Sequence, residues 1–95
     1  MELNRAVTLL KEIVERCPNL DGNNFLIMLP ESASLLGSKG YEIVIRSKEL
    51  LDNETSETLY GIATREKLAI TQRPNATMIY NPEHYTFLER QNHNS

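Results

Sequence analysis

The sequence lacks most of the features that fix a function on sight. One of its 95 residues is a cysteine, Cys17, so no internal disulfide can form and nothing points to a secreted, cross-linked scaffold. No apolar run approaches the ~20 residues that span a bilayer. The start, MELNRAV, carries the acidic Glu2 and has no basic segment followed by an apolar stretch, so it does not read as a signal peptide. These absences lead to the expectation of a soluble, cytoplasmic protein with no membrane partner, in which the Asn-x-Thr sequons at Asn53 and Asn75 are incidental. Neither sign of charge dominates. Ten Lys and Arg against thirteen Asp and Glu leave a net charge of −3, which gives no general attraction for phosphate backbones. There is no G-x-S-x-G, P-loop or dinucleotide fingerprint. Histidine, cysteine and acids are scattered without metal-ligand spacing, so neither a metal nor a cofactor is expected. Repeats, linkers and low-complexity tracts are also missing.

What remains is the material for one small domain. Hydrophobic residues make up 40% of the chain and charged residues 24%, ordinary proportions for a globular fold, and a chain of this length can bury one modest core. The first segment, LNRAVTLLKEIVERCP, is the clearest helix. Leu3, Val7, Leu10, Val14 and Cys17 recur in alternating steps of four and three, and Ala6, Leu9 and Ile13 widen the stripe. Glu12 and Arg16 are spaced for an i, i+4 ion pair, and Pro18 ends the helix. So wide a stripe suits packing on a sheet, or against a partner helix. NLDGNN is a turn cluster without the ligand pattern of a calcium loop.

The uninterrupted apolar run FLIML predicts a buried central strand. ESASLL has the length of one helical turn. YEIVIRS alternates and is rich in β-branched residues, which predicts a half-buried strand. Residues 53–66 read as a helix, capped by Asp52 or Asn53, with Leu59, Ile62 and Ala63 on one face. The competing hairpin would turn at Arg65-Glu66, which lack primed-turn chemistry. LAITQ and TMIY are strands joined by a turn at RPNA. NPEHYTFLERQ opens with Asn81, Pro82 and Glu83, the signature of a final helix. The expected fold is α+β, in the order α-β-β-α-β-β-α, with helices on an antiparallel or mixed four-stranded sheet. Residues 1–91 form the domain and 92–95 a flexible tail.

Few side chains offer chemistry. Cys17 falls on the apolar stripe at a helix C-terminus, where the dipole favours the protonated thiol, so it reads as a small buried hydrophobe. His84 would sit in the first turn of the last helix and His93 in the tail, and the sequence supplies a partner for neither. Tyr80, Tyr85 and Phe87 cluster late. Tyr80 could stack a base, although such residues usually pack a helix on its own sheet.

The stretch LLGSKGYEI is the nearest approach to a motif. Leu36, Gly37, Gly40 and Ile43 share the spacing of a KH core, and FLIMLPES supplies a preceding strand, so the segment resembles a KH domain over a couple of dozen residues. That resemblance implies a G-x-x-G loop, Gly37-Ser38-Lys39-Gly40 with Tyr41 beside it, clamping a single-stranded nucleic-acid backbone. A KH domain continues into a helix after the second glycine. Here YEIVIRS alternates as a strand, and no basic cluster surrounds the loop. The loop is therefore read as a turn into the second strand, with no claim of family membership.

The favoured function is a small binding domain that associates with itself, as a homodimer, or with another protein, because a sheet of short strands leaves edges to be covered or paired. Single-stranded nucleic-acid binding through Gly37, Ser38, Lys39, Gly40 and Tyr41 is the first alternative. An enzyme whose site is assembled from distant residues is the second, and no catalytic residue is assigned.

Overall fold

The computed structural model describes residues 1–20, 25–29 and 40–82. Six elements follow in chain order: α1 (Leu3–Arg16), β1 (Phe25–Met28), β2 (Glu42–Arg46), α2 (Asn53–Arg65), β3 (Ala69–Arg73) and β4 (Ala76–Tyr80). The strands form one antiparallel sheet in the order β1-β2-β4-β3. This is the expected α+β class and, over these residues, the expected element order. The single turn at ESASLL and the final helix over NPEHYTFLERQ lie outside the described residues, apart from Asn81 and Pro82.

Register explains the core. Ile27 faces Ile43, Ile43 faces Ile79 and Ile79 faces Ile70, so a row of isoleucines crosses all four strands. Branched side chains opposite one another on a pleated surface are the stabilising unit of a sheet. Both helices pack on this face. Ala6, Leu9 and Ile13 from α1 and Leu59, Ile62 and Ala63 from α2 meet Ile43, Ile45 and Ile79 in one buried cluster. Thr77 also lies on this face, and its hydroxyl is buried without a hydrogen-bond partner among the described residues.

The helix ends follow local chemistry. α1 closes where the Cys17 N–H bonds to the Ile13 carbonyl at 2.9 Å, just before Pro18. α2 is a helix, not a hairpin, and Asp52 caps it: its carboxylate accepts from the Thr55 N–H at 2.7 Å. The C-terminus folds back through Leu68 N–H to the Ala63 carbonyl at 2.8 Å and Lys67 N–H to the Thr64 carbonyl at 3.2 Å. That pair of bonds puts Lys67 at φ 57°, a left-handed position that glycine usually fills.

One expectation is overturned. FLIML is not a central strand: β1 stands at the sheet edge, with Leu26 and Met28 exposed. A run apolar on both faces predicts burial on both, and the described residues do not supply it.

Candidate functional site

α1 carries two apolar seams; among the described residues one is buried in the core and the other reaches it only through Leu10. Ala6, Leu9, Ile13 and Cys17 are buried. About a quarter turn round the helix runs the second seam, Leu3, Val7, Leu10 and Val14. Leu3, Val7 and Val14 are 44%, 37% and 45% exposed, and Leu10 is half-buried. Val7, Leu10 and Val14, together with Ile27 of β1, line a shallow groove of about 450 Å³, flanked by Lys11 and Glu15. Among the described residues β1 is the outer strand of the sheet, and α1 contacts both it and β2. None of the strand's four residues, Phe25–Met28, is charged or proline, so it lacks the devices that protect edges from pairing. The opposite edge, β3, ends in Arg73 followed by Pro74 and is the blunted one.

The ionic contacts of α1 point the other way. Arg65 of α2 donates two hydrogen bonds to the Glu12 carboxylate, at 2.7 and 2.8 Å, and Arg16 adds one at 3.0 Å. These bonds pull the Glu12 carboxyl down to about 2 and raise the Arg65 guanidinium above its usual value. Arg5 donates to the Glu66 backbone carbonyl at 2.6 Å. α1 is thereby pinned to α2 on one flank, and its orientation over β1 and β2 is fixed. On the other flank Lys11 and Glu15 make no ion pair among the described residues. The groove is an apolar strip with one cation and one anion at its rim.

The residues singled out in the sequence are placed as follows. Cys17 is buried and free, and burial raises its thiol above the ordinary value of 9.0. Gly37, Ser38, Lys39, His84, Tyr85, Phe87 and His93 lie outside the described residues. Gly40 is buried. Tyr41 packs against the core, and its backbone pairs with Met1: its N–H donates to the Met1 carbonyl and its carbonyl accepts from the Met1 amine, each at 3.0 Å. Burial lowers that amine's pKa. The strand that follows Gly40 and Tyr41, β2, stands where a KH domain would have a helix. The Tyr80 hydroxyl shares a 2.6 Å hydrogen bond with Thr71 on the sheet face away from the helices. No group of three or more histidine, cysteine or acidic residues suited to a metal ion occurs among the described residues, and none of the described helices is long and apolar enough to cross a membrane.

The sequence marked Leu3, Val7, Leu10 and Val14 as part of one wide apolar stripe that suits a sheet or a partner helix; it did not single out Lys11 and Glu15, and it placed Ile27 in a central strand. The steps of four and three were the available signal, since that spacing is the seam of a helix meeting another helix. No family, curated protein or solved structure matches this chain.

Proposed function

We propose that this domain is a cytoplasmic binding module whose partner is a protein, and in the first instance a second copy of itself. The observation that carries the reading is the outer seam of α1. A small helix-on-sheet domain needs one apolar face per helix, and α1 has two. The second lies beside β1, an outer strand among the described residues that carries neither charge nor proline, so helix and strand present a continuous apolar surface. Removing apolar area from water yields roughly 25 cal/mol per Å², and exposed apolar strips with polar rims mark interaction sites.

The rim favours self-association over an arbitrary partner. Lys11 and Glu15 bring both signs of charge, so a copy turned about a two-fold axis meets charges opposite to its own. The single cysteine is buried, in keeping with a reducing compartment.

Multi-angle light scattering over a concentration series tests the reading. The native chain should rise to a dimer mass by micromolar concentration, and Val14→Glu should stay monomeric while keeping its far-ultraviolet spectrum. Saturable binding to single-stranded RNA that weakens steeply with salt, with no self-association, would favour the nucleic-acid alternative.

A further inference from the structure

We infer that two copies join edge to edge through β1, so that the dimer contains one continuous eight-stranded sheet with the two α1 helices packed side by side across the two-fold axis. This rests on the self-association reading and specifies its geometry.

α1 contacts both β1 and β2, so its axis runs roughly above the line between them. Strands lie ~4.8 Å apart. If β1 of a second copy pairs at the same spacing, the symmetry axis falls ~2.4 Å outside β1 and ~4.8 Å from the α1 axis in projection. The two helices are then ~9.6 Å apart, inside the 8–10 Å range of packed helices. Pairing the strands brings the outer seams into contact with no further adjustment.

The faces of β1 match as well. Ile27 points to the helix side and Leu26 and Met28 to the other, so a continued sheet covers apolar surface on both. Phe25–Met28 becomes an interior strand, apolar on both faces, which is the environment its composition predicts. The antiparallel arrangement of the two helices also puts Lys11 on the same flank as the partner's Glu15, and Glu15 on the same flank as the partner's Lys11.

Symmetry makes the proposal testable. Close and wide pairs alternate along an antiparallel ladder. A two-fold axis normal to the sheet must therefore pass through a pair of identical residues, and only one residue of β1 faces itself. Single cysteines are placed in turn at positions 25–28 in a Cys17→Ala background, with the exposed Tyr60→Cys of α2, the helix that packs over β3, as the control. The expected result is one β1 variant that forms an intermolecular disulfide at least tenfold faster than Tyr60→Cys, with its immediate neighbours much slower. Amide exchange on the unsubstituted chain gives a second readout that needs no variant to fold: outward β1 amides should slow by an order of magnitude or more between dilute monomer and dimer. A dimer whose β1 cysteines react no faster than the control, and whose β1 amides stay unprotected, would overturn sheet continuation while leaving self-association standing. A chain monomeric at every concentration would overturn both.

Discussion

Ile13 and Val14 are neighbours in α1 and serve different surfaces. Ile13 is fully enclosed between the helices and the sheet, while Val14 is 45% exposed on the rim of the groove. Both are β-branched aliphatics, so composition does not distinguish them. The roughly 100° turn per residue of an α-helix does.

The two positions should separate folding from assembly. Ile13→Ala opens a cavity in the core and should cost about 2–5 kcal/mol of stability. Val14→Glu replaces an exposed residue with a better helix former and should leave monomer stability within about 0.5 kcal/mol while abolishing the dimer. Denaturant titration on each variant, at a concentration below dimerisation, checks the first pair of values. Equal destabilisation by both would mean that Val14 belongs to the core.

Cys17 should behave as packing. Burial raises its pKa, so the native thiol should label slowly with neutral alkylating reagents, at a rate limited by opening of the structure. Because the folded state holds the proton more tightly than the unfolded chain, stability should also decline as pH rises through the ordinary value of 9.0. Cys17→Asp should unfold the domain. Fast labelling with a thiolate-like profile at neutral pH would contradict this placement.

Glu12 gives the acid limb. Its carboxyl is held at about 2 by Arg65 and Arg16 against an ordinary 4.5. The pair therefore favours the folded state throughout the range above 4.5, and that contribution fades as pH falls from 4.5 towards 2. Asp52, held low chiefly by the Thr55 N–H, acts in the same direction. Thermal melts of Glu12→Gln should show a shallower decline than the native chain across this window, and high salt should reduce the difference. Parallel profiles would mean that the Glu12–Arg65 contact contributes nothing in solution.

α2 offers two changes in opposite senses. Gly61 sits mid-helix with nothing within 4 Å of where a Cβ would stand, so Gly61→Ala should stabilise by about 0.5–1 kcal/mol. Lys67, held at φ 57°, should gain about 1 kcal/mol on replacement by glycine. Urea midpoints read both. A loss at either position would show that the end of α2 is placed differently.

Elements whose signal is local were legible in the sequence. α1 showed its period, α2 its cap at Asp52, and the β3–β4 hairpin its Pro74-Asn75 turn, because each depends on residues a few positions apart. The depth of β1 was not legible. FLIM is apolar at every position, and that composition does not say where in the sheet the strand stands. The outer seam of α1 was legible only as part of one wide stripe, open to a sheet or a partner helix, because hydrophobic spacing marks an apolar face without naming its partner. In the GSKG stretch, the alternation after Gly40 identified β2 despite the resemblance carried by the glycine spacing.

Sedimentation equilibrium on the native chain and on Val7→Glu/Val14→Glu, side by side, decides whether α1 and β1 form an association surface. The native chain should fit a monomer–dimer equilibrium approaching twice its 10.9 kDa mass with a dissociation constant in the micromolar range, while the double variant stays at the single-chain mass and remains folded. A native chain that sediments as a monomer at several hundred micromolar, or a double variant that dimerises as well as the native chain, would contradict the assignment of α1 and β1 as the association surface.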